Sequence, residues 1–332
     1  LENIENLLVM PDLPEDIDPI EKEMARTIYK TDEAGWKKGE GILTGFPILD
    51  EKLDSIQQGL AFLAADSNTG KSSYLLSIGY NSSKHDDAFV LYFSLDDDVT
   101  NLLPRVISME KSIPINAIRL PYKYKEYPSI LKKRKQGIED LYKVINRFKI
   151  VGADKAQGVE NMEKIITKHK EYADKKNKKL FVLIDNFHDL YSEEKDFYDQ
   201  NDKFAYIAGV LKDWTKEFSI PVWCTAEVRK LNSFRRPVKD DLLHAGKIKY
   251  KASLILMLHN DVGLQGSNAS VYYRNKDKPG KAPVLEVKFD KNKLGSFKGT
   301  LFYEFIPEYA HFLECNEEDI ERYNSLVYQS EN

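Results

Sequence analysis

From about residue 43 onward, short apolar runs alternate with longer stretches whose apolar positions recur every three or four residues. The runs at 60–65, 88–94, 147–151, 180–185, 220–225 and 253–258 are five to seven residues long. They are too short for helices and, apart from 147–151 with Arg147 and Lys149, too uniformly apolar for strands with one wet face, so they read as strands of a covered sheet. The stretches at 72–83, 99–110, 126–146, 159–176 and 202–218 carry the helical period. Such alternation predicts an α/β fold, a mostly parallel sheet flanked by helices on both faces. After residue 265 the pattern changes: 271–274, 284–289 and 300–305 alternate in the manner of antiparallel strands joined by Gly/Lys-rich turns. Upstream, residues 1–16 are acidic, contain two prolines and read as extended. Residues 17–35 form a short helix with Ile20, Met24 and Ile28 on one side, and Gly39, Gly41 and Gly45 mark a connector. No internal repeat is evident.

A chain of 332 residues with 42% hydrophobic content can bury one large core plus a short appendage. The expected division is an N-terminal extension and linker helix over 1–38, the main domain over 39–316 and a tail over 317–332. The formal net charge of −4 means that nucleic-acid contact would need a local patch. The runs Lys132-Lys133-Arg134-Lys135 and 175–179 are basic, and such runs are most often solvated helix ends. Only Cys224 and Cys315 occur, with neither disulfide nor zinc spacing, which suits a reducing cytoplasm. No apolar run reaches the roughly 18 residues a membrane helix needs, so no membrane partner is expected. The chain opens on Leu1, as a piece of a longer protein would.

The candidate chemistry begins where the first buried strand ends. Ala65, Asp66, Ser67, Asn68, Thr69, Gly70, Lys71 and Ser72, with Ser73 beside them, form a loop of the A/G-x-x-x-x-G-K-[ST] type between strand 60–65 and helix 72–83. Strand, loop and helix N-terminus together aim backbone N–H groups and the positive end of a helix dipole at a polyphosphate. Gly70 permits the tight backbone, Lys71 reaches the β- and γ-phosphates, and the Ser72 hydroxyl ligates Mg²⁺. Run 180–185 ends in Asp185, the shape of a metal-supporting Walker B strand. The run at 88–94 leads into Asp96, Asp97 and Asp98, where open α/β sheets bind ligands. One of these carboxylates can polarise an attacking water, and Asp98 is expected to cap the next helix.

The spacing of these motifs resembles the ATPase domain of DnaB-type hexameric replicative helicases, within the wider RecA-like family. The resemblance runs from about residue 40 to residue 314. It begins at Thr44-Gly45-Phe46, Leu49-Asp50 and Gly59-Leu60, and it accounts for alanine at position 65. It continues through Phe93-Ser94-Leu95, Leu102, Arg105, Asp185, Leu211-Lys212 and Pro221-Val222. Asp241-Leu242, Gly246 and Ala252 are similar to the family's DNA-loop motif, and Lys291-Asn292-Lys293 with Gly295 to its K-Q-R-N-G motif.

The departures bear on the chemistry. Asp96 stands where the family has its catalytic glutamate, shortening the reach by about 1.5 Å. Glu227 replaces the glutamine that senses the γ-phosphate, and a carboxylate there repels a polyphosphate unless protonated or metal-bound. Lys293, with Lys291 beside it, replaces the arginine finger, keeping the charge but losing the bidentate fork. In the DNA loop, Leu243 and His244 replace an arginine and a glutamate, and a basic segment, 247–251, follows.

The resemblance implies a ring, a homo-hexamer, that couples ATP hydrolysis to movement along single-stranded DNA. Lys71, Ser72, Asp185, Asp96 and Glu227 would act in cis, and Lys291 and Lys293 would come from the neighbour. It further implies that the helix at 17–35 docks on the adjacent subunit, and that a primase or a helicase loader is a partner. Lys230, Arg235, Arg236, Gly246, Lys247 and Lys249 are the candidate strand contacts, and loop 229–236 is basic with one aromatic, as a backbone tracker is. The competing expectation is a RecA-like regulatory or assembly ATPase with slow or no turnover and no unwinding.

Overall fold

The structure is a computed structural model that describes residues 18–35, 41–85, 87–231, 235–274 and 280–331. It divides into two units, 1–41 and 42–332. In the first, α1 covers Pro19–Gly35, where the sequence predicts a helix. Its stripe residues Ile20, Met24 and Ile28 are all exposed.

The second unit is the α/β body. Its strands are β1 (Gly59–Ala65), β2 (Ala88–Ser94), β3 (Phe148–Gly152), β4 (Lys179–Asp185), β5 (Pro221–Glu227), β6 (Leu254–His259), β7 (Tyr272–Tyr273), β8 (Ala282–Asn292), β9 (Thr300–Ile306) and β10 (His311–Glu314). Its helices are α2 (Pro47–Leu53), α3 (Lys71–Lys84), α4 (Val99–Lys111), α5 (Ile115–Arg119), α6 (Pro128–Val144), α7 (Val159–Lys175), α8 (Gln200–Glu217), α9 (Ala245–Lys251), α10 (Asp261–Gln265) and α11 (Glu317–Glu331). The sheet order is β10-β9-β8-β6-β1-β5-β4-β2-β3, with β7 on β8. Every pairing among β1 to β6 is parallel, and β6 to β10 continue antiparallel. The fold expected from the apolar runs is the one observed.

The period-two alternation of each strand divides the core into two layers. Ala61, Leu63 and Ala65 of β1 enter one layer with Tyr92, Leu183 and Trp223, under α3 and α4. Leu60, Phe62 and Ala64 enter the other with Phe93, Ile184 and Cys224, under α7 and α8. All seven residues of β1 are buried, which is why that run reads as continuously apolar.

The antiparallel extension locks onto the parallel core through aromatic rings. Tyr303 packs edge-on to Phe46 and Tyr74, with centroids 5.2 and 5.1 Å apart. Helix α2 has no side-chain cap of its own. Glu314, at the end of β10, accepts instead from the N–H groups of Ile48 and Leu49 at 3.1 and 3.0 Å. The first and last elements of the sheet body are thereby hydrogen-bonded together. The segment expected as a tail is a docked helix: Tyr323 of α11 is fully buried in a cluster with Val271, Val284, Phe302 and Cys315.

Helix α3 lies close against β4 because position 79 carries no side chain. A Cβ on Gly79 would stand 2.5 Å from the Leu183 methyl. Replacing a helix-interior glycine gains up to about 1 kcal/mol of propensity, whereas overpacking a core costs about 1–3 kcal/mol. For Gly79→Val the clash outweighs the gain, and a net loss of about 2 kcal/mol is expected in urea denaturation.

Candidate active site

β1 stops at Ala65, and the chain must turn at once to enter α3. Gly70 makes that turn with φ +107°, in the left-handed region that other residues rarely adopt. A Cβ there would only touch, at 3.6–3.8 Å, the rings of Phe305 and Phe312, which stack on each other 4.4 Å apart, so it is the backbone angle that calls for glycine. The first N–H groups of α3 meet no side-chain cap and are presented by the loop for an anion. Lys71 begins the helix and folds its ammonium back over the loop, donating to the Ala65 and Asp66 carbonyls at 3.1 and 2.9 Å. Burial lowers its pKa, and the charges of Glu227, Asp185, Asp66 and Asp96 raise it again, so four carboxylates face this one cation.

Asp185 sits at the end of β4, 2% exposed. The Ser72 hydroxyl donates to its Oδ1 at 3.1 Å, the Tyr92 hydroxyl to its Oδ2 at 2.8 Å, and the Thr225 hydroxyl also to Oδ1. Burial pushes its pKa up, and the Thr225, Tyr92 and Ser72 hydroxyls pull it back. The sequence reading misses Tyr92 and Thr225, although a hydroxyl inside an otherwise apolar strand is a readable signal. The Ser72–Asp185 pair suits a hard divalent cation. Mg²⁺ takes one or two protein oxygens and fills its octahedron with water and phosphate. Among the described residues no group of three or more His, Cys, Asp or Glu stands ready to cage a metal.

The three carboxylates after β2 divide their work. Asp97 pairs with Arg105 at 2.7 Å, and Asp98 caps α4 by accepting from the Thr100 N–H at 2.7 Å, as expected. Asp96 is exposed at the strand end and adds its charge to the field at both Lys71 and Asp185. Glu227 ends β5, in register with Ala65. Its N–H donates to His188 Nδ1 at 3.2 Å. Nδ1 therefore accepts, the ring proton is on Nε2, and Nε2 donates to the Leu243 carbonyl at 3.2 Å. A neutral imidazole thus joins the end of β5 to the 243–251 segment. The sequence reading misses His259 as well: among the described residues its Nε2 and the Thr69 hydroxyl are buried without a hydrogen bond, with Asp261 Oδ1 3.7 Å from that nitrogen, and both residues line a cavity of about 310 Å³ beside the loop.

Lys291 and Lys293 lie at the other end of the sheet. Lys291 pairs with Ile255 near the start of β6, and the Lys293 N–H donates to the Ser253 carbonyl at 2.9 Å. The phosphate loop follows the far end of β1, a seven-residue strand whose length is about 20 Å. The two lysines are therefore not brought to this chain's own Lys71. Lys291 donates to the Lys249 carbonyl. Burial, then the charges of Lys293, Lys212 and Lys239, push its pKa down to about 8.

The nucleic-acid candidates are placed unevenly. Asn232, Ser233 and Phe234, including the loop's aromatic, lie outside the described residues. Arg229 and Arg235 both bind Asp241, the latter through two bonds of 2.7 Å. The Arg235 guanidinium holds the Asp241 carboxyl well below the usual carboxylate range. Arg236 grips Glu286 through bonds of 2.8 and 2.9 Å and also donates to Ser330 of α11 at 2.8 Å. Residues 245–251 are the helix α9 rather than an open loop, with Ile248 buried. On it, Gly246 and Lys247 are exposed and Lys249 is paired with Asp240. Lys230 is exposed.

His188 carries a pH dependence whose sign is fixed. Burial lowers its pKa from 6.5 to about 4. Between those values the unfolded chain binds a proton that the folded one does not, so stability falls as pH falls through that window. The full linkage is about 3 kcal/mol, reduced by solvent at the ring's partly exposed edge. His188→Gln keeps an amide for hydrogen bonding and removes the titration. Thermal melts between pH 7 and 4 should show a shallower loss than in the unsubstituted chain, and equal slopes would exclude His188 as the source.

A family model described as the DnaB-like helicase C-terminal domain matches residues 41–314. The chain is 25% identical over 290 residues to a probable replicative DNA helicase of Trieres chinensis, covering 85% of this chain and 60% of that protein. It is 24% identical over 303 residues to the replicative DNA helicase DnaB of Buchnera aphidicola, covering 90% and 61%. It therefore spans about 60% of the length of the curated relatives it matches. Among solved structures it superposes on an isolated ATPase domain with TM-score 0.74 at 23% identity, over 90% of this chain and all of that one. A KaiC-like protein from Pyrococcus horikoshii aligns over 83% of this chain and 99% of its own length, with TM-score 0.54 at 13% identity. The structural likenesses establish a RecA-like fold, and the family match over most of its length makes this chain a member of the DnaB-like helicase C-terminal domain family.

Proposed function

We propose that this chain is the motor domain of a ring-forming helicase that hydrolyses ATP between subunits and moves along single-stranded DNA. The observation that carries the reading is the contact of Ser72, on the phosphate loop, with Asp185, 113 positions away and 2% exposed. Mg²⁺ held there would neutralise charge building up on the β- and γ-phosphate oxygens. Lys71 would leave its two loop carbonyls for the phosphates. Asp96, exposed at the end of β2, would orient the attacking water, and Glu227 would balance Lys71 and report the state of the site through its bond to His188. Lys291 and Lys293 stand at the far end of their own sheet, and burial first, then the charges of Lys293, Lys212 and Lys239, depress Lys291. That is the state of a cation awaiting an anion, and a neighbour's nucleotide in a closed ring supplies one. A hexamer is the proposed ring, with α1 docking on the adjacent subunit through its exposed apolar stripe. A primase is a proposed further partner, because one similar structure, TM-score 0.73 at 22% identity and covering 91% of this chain and 68% of that one, is described as a DnaB-like replicative helicase and its interactions with primase. A helicase loader is proposed on the same family footing.

Lys71→Ala removes a charge-assisted contact worth about 1.5–3 kcal/mol, so Mg-ATP affinity should fall roughly ten- to hundredfold in a titration. Unchanged affinity would exclude the loop as the nucleotide site. Lys293→Ala should keep ATP binding and lose turnover. Mixing it with Lys71→Ala should restore part of that turnover, since some interfaces then contain both intact partners. Full activity of an isolated monomer would contradict the shared site.

For DNA, the exposed lysines that make no ion pair among the described residues are the clean probes. Lys230→Ala with Lys247→Ala should weaken single-strand binding and flatten its log–log salt dependence by about 0.7 for each phosphate no longer neutralised. Arg236→Ala is expected to behave otherwise. It leaves the Glu286 carboxylate, 4% exposed, without its partner, at a cost of about 3–5 kcal/mol of stability, read in a urea melt. If single-stranded DNA neither binds at low salt nor stimulates hydrolysis, the regulatory ATPase becomes the better reading.

A further inference from the structure

At the end of the sheet opposite the phosphate loop, the starts of β2, β3 and β4 and the last turns of α7 enclose a cavity of about 460 Å³. Its floor is apolar, formed by Leu91 and Leu180 with Phe89. Tyr172 of α7 makes a wall, its ring 5.3 Å from that of Phe89 and 47% exposed. Around this apolar hollow stand Lys149, Lys168 and Lys175, with Arg147 also in the lining, and among the described lining residues the one carboxylate is Glu171. Among the described residues Lys149, Lys168 and Lys175 make no ion pair, whereas the nearby Lys170 and Lys179 are matched by Asp174 and Asp87. Unpaired lysines on a surface are ordinary. Three such lysines gathered around one aromatic-lined hollow form a local positive patch on a chain whose formal net charge is −4.

The cavity also has an open edge beside it. β3 is the last strand of the sheet and pairs only with β2 among the described residues. The Gly152 carbonyl at the end of β3 already accepts from the Lys155 and Ala156 N–H groups, so the edge open to an added strand is the first part of β3, where Lys149 stands at the cavity.

We propose that this cavity binds an acidic peptide segment of a partner protein, an extended stretch with one aromatic residue flanked by carboxylates. The aromatic ring enters the hollow against Phe89 and Tyr172, the carboxylates lie on the rim lysines, and the backbone pairs with the outer edge of β3. Nucleic acid fits less well. A single-strand tracker needs a continuous cationic groove with successive stacking platforms, whereas these cations surround one hollow and Glu171 faces it as well. The site is independent of the nucleotide chemistry, which lies at the other end of the sheet.

The test is fluorescence anisotropy with a labelled synthetic peptide, one phenylalanine between aspartates and glutamates, titrated with the full chain at low ionic strength. A peptide with alanine for phenylalanine and a labelled oligothymidylate are the parallel probes. Saturable binding is expected that weakens with salt. Lys149→Glu with Lys168→Glu should reduce it at least roughly tenfold, because like charges then face the peptide. Tyr172→Ala, removing the wall, should reduce it roughly five- to thirtyfold, and the alanine peptide should show a similar reduction. Thermal melts of each variant verify that the fold is kept. Should a charge-reversed variant not fold, Lys168→Gln with Tyr172→Ala replaces it. Three outcomes would overturn the proposal: no saturable peptide binding, peptide binding that none of these variants changes, or oligothymidylate binding that the variants abolish while the peptide does not bind.

Discussion

A single buried carboxylate organises the candidate active site of this molecule. Asp185 has almost no contact with water, and an ion so placed costs several kcal/mol unless hydrogen bonds replace its hydration. Three hydroxyls do so, and they come from three different elements: Ser72 from α3, Tyr92 from β2 and Thr225 from β5. Each of these bonds holds its donor as well as the acceptor. The phosphate loop is thereby fixed against β4, on which Asp185 sits, and the flanking strands are fixed against each other. The site is therefore not a loop resting on a sheet. It is one hydrogen-bonded unit whose geometry follows from the need to satisfy one charge.

The same sheet separates the remaining chemistry. Parallel strands place their C-terminal ends together, and Lys71, Asp185, Asp96 and Glu227 all collect there. The antiparallel turn-back of β8 carries Lys291 and Lys293 toward the beginning of β6 instead. A domain built this way has phosphate ligands at one end and uncompensated lysines at the other. The topology prevents both from acting on one nucleotide within one chain, whereas in the proposed ring one end of each chain would meet the opposite end of the next.

Much of this is legible because buried parallel strands leave a clear trace. All six leading strands fall within a residue or two of the apolar runs, and Asp98 caps α4 as its place after a strand implies. What is not legible depends on distance in sequence. Helix α2 lacks a local cap and is completed by Glu314, at the far end of the body, which no local pattern can reveal. Helix α11 reads as a tail, although Ile320, Tyr323 and Val327 recur at helical spacing. Their partners, Val271, Val284 and Phe302, lie in or beside strands whose own alternation signals only a sheet. His188 gives no local signal either: nothing in a lone histidine three residues after Asp185 says that its two nitrogens will join Glu227 to Leu243.

The basic loop shows most clearly where composition misleads. A run of arginines and lysines reads as a surface for phosphate, yet the guanidiniums of Arg229, Arg235 and Arg236 rest on Asp241 and Glu286. Arginine is suited to this because its planar fork satisfies a carboxylate bidentately and loses less on desolvation than an ammonium does. The lysines of the same region divide differently. Lys249 is held by Asp240, while Lys230 and Lys247 remain exposed. The arginines thus define the path of the chain, tying the loop to the 3-10 turn at Asp241, to β8 and, through Ser330, to α11. Charge in this segment serves shape first, and a mutation that removes an arginine alters the scaffold before it alters any surface the scaffold presents.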